Sequence, residues 1–175
     1  MKRLSQISCV LLTAIVLAIF VPAWAAETSR DAEESVRLIK DVAKQVGVEA
    51  AICLAVVKTE NNRFNTFAFN DNKMGRGHAD IRQSHGLFQL TYITGKSFGI
   101  KERGDLYDKR KNAVAAIKFI KYLLNKYPHS SLADIAQRYN LGETRFRRGA
   151  TAQAYAKRFM MYYHGYRATP GGAIR

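Results

Sequence analysis

The chain of 175 residues holds 28 lysines and arginines against 14 aspartates and glutamates, a formal net charge of +14. That length leaves room for one domain built on a single core, and little for a second. The charge favours polyanionic or anionic-surface partners.

The chain opens Met1-Lys2-Arg3 and runs from Val10 to Val21 almost entirely in apolar residues. Pro22-Ala23-Trp24-Ala25 follows, ahead of a charged stretch from Glu27. A basic start, a short apolar run and small residues at Ala23 and Ala25 read as a signal peptide over residues 1–25, removed on export. The run is short for a membrane span, so no stable insertion is expected after cleavage. Cys9 precedes the apolar core, which argues against a lipid-modified cysteine at the cleavage site. Loss of Lys2 and Arg3 leaves +12 on residues 26–175. Nucleic acid is the reflex partner for such a charge, but export argues against it and favours the cell wall and lipid headgroups. Cys53 is then the remaining cysteine, without an internal disulfide partner, in the apolar setting Ile52-Cys53-Leu54.

The mature chain reads as helices. Ser29 or Asp31 can cap a first one, in which Ala32, Val36, Ile39, Ala43 and Val46 recur every three to four residues up to Gly47. From Glu49 to Asn61 the run is apolar all round. A buried strand would look similar, but the length favours a central buried helix. Residues 62–83 break into Asn, Asp, Gly and Arg with isolated Phe64, Phe67 and Phe69, the pattern of a long ordered loop or small hairpin. A short helix is expected from Gly86 to Phe98. Next comes the clearest, capped by Asp108, striped by Val114, Ile117, Ile120, Leu123 and Leu124, and ended by Pro128. Ser131 to Asn140 and Thr151 to Tyr163 supply two more. Residues 26–166 thus form one mainly α domain, and residues 167–175, with Pro170-Gly171-Gly172, a flexible tail.

Glu60 is the most informative position, because a buried helix ends on a carboxylate. Desolvation there disfavours the anion and raises the pKa, as a general acid near neutral pH requires. The competing reading is a Glu60 that faces solvent beside Lys58 and Asn61. Other chemistries fit less well. His78, Asp80 and His85 share no spacing that matches a metal-ligand motif, and no metal or organic cofactor is expected. No Gly-x-Ser-x-Gly elbow occurs, and Cys53 lies where thiolate formation is suppressed. Gly75 and Gly77, among Lys73, Arg76 and Arg82, lack the strand and helix context of a phosphate loop.

Glu60, then Ser84-His85-Gly86-Leu87-Phe88-Gln89, Asp105-Leu106-Tyr107-Asp108 and Ala136-Gln137-Arg138-Tyr139-Asn140, resembles the ordered motifs of the soluble lytic transglycosylase domain, related to goose-type lysozyme. Asn112 and Ala116 also fit, and the likeness spans roughly Asp41 to Tyr163. The resemblance implies a lysozyme-like fold around a central buried helix, with Glu60 as catalytic acid/base. It implies substrate contacts at Gln89, with Gly86 and Leu87 of the same motif, and at Asn140, which holds an N-acetyl sugar. Tyr139 is the implied phenol that orients Glu60. Tyr92, Tyr155 and Tyr163 are aromatic candidates for sugar stacking, with core packing as the competing role. Three departures stand out: Asn61 in place of serine, Phe88 in place of methionine, and Arg138 in place of alanine. The 62–83 span is also longer than usual.

The implied reaction cuts the bond between N-acetylmuramic acid and N-acetylglucosamine in peptidoglycan and leaves a 1,6-anhydro end, in the periplasm. Small exported members often open the wall locally for secretion, conjugation or appendage assembly. Two other readings compete. A muramidase of the same fold would need a carboxylate such as Asp71 or Asp80 to position water. A non-catalytic, basic wall-binding protein would be indifferent to loss of Glu60.

Overall fold

The computed structural model of the protein describes residues 23–70 and 83–169. The expected signal segment up to residue 22, the loop residues Asp71, Lys73, Gly75, Arg76, Gly77, His78, Asp80 and Arg82, and the tail from residue 170 lie outside them.

The described chain is mainly α, as expected. Helix α1 spans Ala23–Val46 and α2 spans Ala50–Glu60. Helix α3 spans Tyr92–Ser97, a 3-10 helix spans Arg103–Tyr107, and α4 spans Lys109–Lys126. Helices α5 (Leu132–Leu141), α6 (Glu143–Arg147) and α7 (Gln153–Ala168) complete the order. Strands β1 (Phe69–Asn70), β2 (Ser84–His85) and β3 (Leu90–Thr91) form a small antiparallel sheet in that order, so the 62–83 span includes a hairpin arm. Phe69 pairs with His85, and His85 with Leu90.

Helix α2 is the centre of the molecule. Ala51 through Val57 are all buried, and α1 and α7 pack against it. Little in its own sequence favours a helix. Ile52, Val56 and Val57 are β-branched, and Glu49 at the N-cap makes no side-chain capping bond. Tertiary burial holds it instead, at about 1.5–3 kcal/mol for each large aliphatic side chain taken fully out of water. Cys53 lies inside this packing, where burial pushes its thiol up to about 12 and leaves no thiolate to act as a nucleophile.

Several boundaries differ from the expected ones. Helix α1 runs through Ser29 and Asp31 back to Ala23, and Asp31 acts inside it, its carbonyl accepting from the Ser35 hydroxyl at 2.8 Å. Its end at Gly47 is as expected: Gly47 has φ +76°, and the Gly47 and Val48 amides both return to the Ala43 carbonyl at 2.9 Å. The helix expected over Gly86 to Phe98 is a turn, a strand and one short helix. The true N-cap is Thr91, whose hydroxyl accepts from the Thr94 amide at 3.3 Å. Helix α6 was not expected. Helix α7 continues to Ala168, past the expected start of the tail, because Tyr166 is buried in the core. Asp108 caps α4 as expected, and Ser131, expected as the first residue of its helix, caps α5; they accept from the amides of Lys111 and Asp134.

One buried amide ties the sheet to the helices. Asn112, fully buried on α4, accepts from the Phe88 amide at 2.9 Å. It donates to the carbonyls of His85 at 3.1 Å and Leu106 at 2.9 Å. A neighbouring knot fixes the 3-10 helix: Asp105 accepts from the amides of Lys101 and Glu102 and pairs with Lys111, which holds its carboxyl down to about 2.

Candidate active site

Glu60 is the last residue of α2, and two elements converge on it. Tyr163 of α7 meets Glu49 at the start of α2, while Tyr155 at the start of α7 meets Glu60 at its end. The two helices are therefore antiparallel. The C-terminal end of α5 supplies Asn140. Glu60 keeps part of its surface exposed, yet desolvation is the largest influence on its carboxyl. Tyr155, Asn140 and Arg158 oppose the shift without cancelling it, and the pKa rises from 4.5 to about 7. Reach from solvent and poor hydration together are what a proton donor to a bound substrate needs.

The two tyrosines have different tasks. The Tyr139 hydroxyl donates to the Phe88 carbonyl at 2.9 Å, so its proton is committed to the turn after β2. That corrects the expectation that Tyr139 orients Glu60. The Tyr155 hydroxyl is buried without a partner in hydrogen-bonding geometry, although it lies close enough to Glu60 to lower its pKa. Being 6 % exposed, Tyr155 is closed to sugar stacking. Tyr155→Phe removes one group that favours the carboxylate, so the Glu60 pKa rises further. The expected result is an alkaline limb of the pH–rate profile moved above that of the wild type, with the denaturation midpoint unchanged or slightly higher. A limb that stays in place would remove Tyr155 from the site.

The motif around Gly86 is architecture. Gly86 has φ +75°, and a Cβ there would stand 2.1 Å from the Leu106 carbonyl oxygen and 2.6 Å from Asn112 Nδ2. Leu87 is wholly buried in the core. The Gln89 amide donates to the carbonyls of Ala68 at 3.0 Å and Gly86 at 2.9 Å, and its oxygen accepts from Ser84 at 3.3 Å. With its polar atoms engaged inside the protein, Gln89 braces the turn instead of lining a groove. Gly86 and Leu87 likewise offer no side chain to a substrate. Tyr163, expected as a substrate contact, is 6 % exposed and stacks on Phe159. It sits at the far end of α2, about 16 Å along the helix from Glu60.

Asn61, where the resemblance implies serine, is buried beside the carboxyl. Its side chain accepts from the Asn65 amide at 3.0 Å and donates to the Asn65 carbonyl at 2.6 Å. It thereby folds the chain that leaves α2 into a turn. Phe67 beyond it is 75 % exposed and stacks on Tyr107, whose hydroxyl lies 2.8 Å from His85 Nδ1. Of the expected site residues, then, the structure brings together Glu60 and Asn140, with Tyr139 behind them. Tyr155 and Arg158 complete the surroundings, in roles the sequence did not disclose. Among the described residues, the groups acting on Glu60 are a phenol, an amide and a guanidinium, none of them a second carboxyl.

The family model described as the transglycosylase SLT domain matches residues 37–161. Four solved chains match, among them one described as Bd0314 DslA, wild-type form 2, with a TM-score of 0.45 and 16% identity over 61% of this chain and 74% of that one. No curated protein matches the chain.

Proposed function

The chain belongs to the transglycosylase SLT domain family, and from that premise we propose that it is a lytic transglycosylase that cuts peptidoglycan strands with Glu60 as its catalytic acid and then base. The observation that carries this reading is a reachable carboxyl with a pKa of about 7, set among neutral or basic groups of the described residues. Near neutral pH a large share of Glu60 is protonated and able to donate.

The steps follow from that state. Glu60 gives its proton to the oxygen between N-acetylmuramic acid and N-acetylglucosamine as the C1–O bond breaks. The carboxylate left behind takes the proton from the C6 hydroxyl of the same muramic residue as O6 bonds to C1. The products are a free 4-hydroxyl on one fragment and a 1,6-anhydro ring on the other, with Glu60 protonated again and no water consumed. Asn140 and Tyr155 stabilise the transient anion, and Asn140, being exposed, can also meet an N-acetyl group. Export through residues 1–25 belongs to the same proposal, because the substrate lies outside the cytoplasm. So does local wall opening for a secretion or conjugation apparatus, supported by the one-domain size and the basic charge.

The test is product analysis by mass spectrometry after purified protein and its Glu60→Gln variant are incubated with sacculi. Anhydro-muropeptides from the wild type alone are expected. Reducing-end products from the wild type would move the protein to the hydrolases, and products from neither would end the catalytic reading. A strain carrying Glu60→Gln is expected to grow normally but lose secretion or conjugation. Normal transfer would remove the apparatus from the proposal.

A further inference from the structure

Between Asn140 and Tyr155 the chain leaves Glu60 and returns to it. The excursion turns at Gly142 (φ +77°) and Gly149 (φ +86°), and α6 lies between them. It is fastened from one side. The Arg138 guanidinium lies 4.3 Å from the Phe146 ring centroid and 3.8 Å from that of Tyr127, which pins Phe146 inward. Arg145 and Arg147, flanking Phe146, are exposed, as is Arg148.

Nothing on the excursion neutralises these three. From Gly142 to Arg158 the sequence contains one acid, Glu143, against Arg145, Arg147, Arg148, Lys157 and Arg158, all five exposed. Glu143 is engaged elsewhere, by Lys126 at 2.8 Å and by the hydroxyls of Tyr127 at 2.5 Å and Tyr122 at 3.1 Å. Among the described residues, none of the five cations is ion-paired. Arg158 reaches close enough to Glu60 to lower its pKa, so one of the five cations stands at the edge of the site.

Resting on the peptidoglycan reading above, we propose that this excursion docks the carboxylates of the stem peptides on glycan strands, so that peptide-bearing strands are taken in preference to bare glycan. The sugar backbone is largely neutral, and the substrate's carboxylates are concentrated on its stems. Each stem is attached to the lactyl group of the muramic residue whose C1 is attacked, so a strand seated at Glu60 carries its stem beside the scissile bond. An exposed cationic surface anchored at both ends next to Glu60 matches that charge and that location.

Binding isolates the proposal from catalysis. In a Glu60→Gln background, binding is measured to intact sacculi and to the glycan that remains after an amidase has removed the stems, with the lactyl carboxyl that this hydrolysis frees on each muramic residue converted back to an amide so that the bare strand is neutral. The background protein is expected to prefer sacculi by about tenfold, the scale of a few exposed ion pairs. Arg145→Gln/Arg147→Gln/Arg148→Gln is expected to abolish that preference with bare-glycan binding unchanged. The corresponding triple lysine variant is expected to keep it, and all three proteins should share one denaturation midpoint. Equal binding to both materials by the background protein would overturn the proposal. So would equal loss on both in the glutamine variant, or loss confined to phosphatidylglycerol vesicles, which would identify a lipid surface instead. Failure of wild-type cleavage would overturn the catalytic reading separately, because the docking preference is measured without turnover.

Discussion

Glu60→Gln lowers strand cleavage by about 10²–10⁴-fold, the range for removing a positioned general acid or base. Glutamine keeps the size and hydrogen-bonding atoms of the side chain but can neither give nor take the proton. In the wild type the donating form is the protonated one, so kcat/KM is expected to hold below pH 7 and fall as the pH rises through about 7. The same residue sets a stability signature. Its folded pKa of about 7 lies above the ordinary 4.5, so the native state holds the proton more tightly than the unfolded chain. That contribution is fully present below 4.5 and is lost as the pH rises through about 7. The shift corresponds to about 3 kcal/mol. Glu60→Gln is therefore expected to be more stable than the wild type at pH 8 by up to that amount, with the gap narrowing at pH 4. Urea unfolding at the two pH values measures it. A constant gap would mean that Glu60 is solvated in the native state, and the acid role would fall with it.

Asn112→Leu is expected to cost at least about 3 kcal/mol, since each buried polar group left unpaired costs about 1–3 kcal/mol. Leucine keeps the branched shape of asparagine but is bulkier, so no cavity opens and the loss reports the hydrogen bonds together with some crowding. The Phe88 amide and the His85 and Leu106 carbonyls all lose their partner at once. Activity should fall with stability, because Phe88 carries the carbonyl that accepts from Tyr139, and the turn it belongs to packs beside Asn61. Denaturation midpoint and cleavage rate, measured together, check both. A loss under about 1 kcal/mol would show that water or the backbone can replace the amide.

Sequence pattern disclosed the elements whose signals are local. The apolar run of α2, the Asp108 cap and Gly47 after α1 each act within a turn of where they stand. It failed where a residue's meaning comes from across the fold. Gly86 suggested a helix opening, but its positive φ serves a turn pressed against Leu106 and Asn112, one strand ahead of the helix itself. Helix α6 is a single turn between two glycines, too short for a periodicity to register. The last helix was expected to end at Tyr163 and runs on to Ala168, because the burial of Tyr166 leaves no mark on its neighbours in sequence. The site divides the same way. Glu60 was legible as a carboxylate at the end of an apolar helix. Tyr155 was legible only as an aromatic, because its meeting with Glu60 depends on α7 running back along α2.

That antiparallel return also orders events in time. Asn140 follows Glu60 by 80 residues and Tyr155 follows it by 95, so the carboxyl and its partners are joined by contacts distant in sequence, the kind that form slowly. A chain still emerging from a ribosome carries Glu60 without α7 to cover it. Its carboxyl then titrates near the ordinary 4.5 and is ionised at neutral pH. The site is completed only when the last long helix docks, so a half-made chain holds Glu60 without the surroundings that keep its proton.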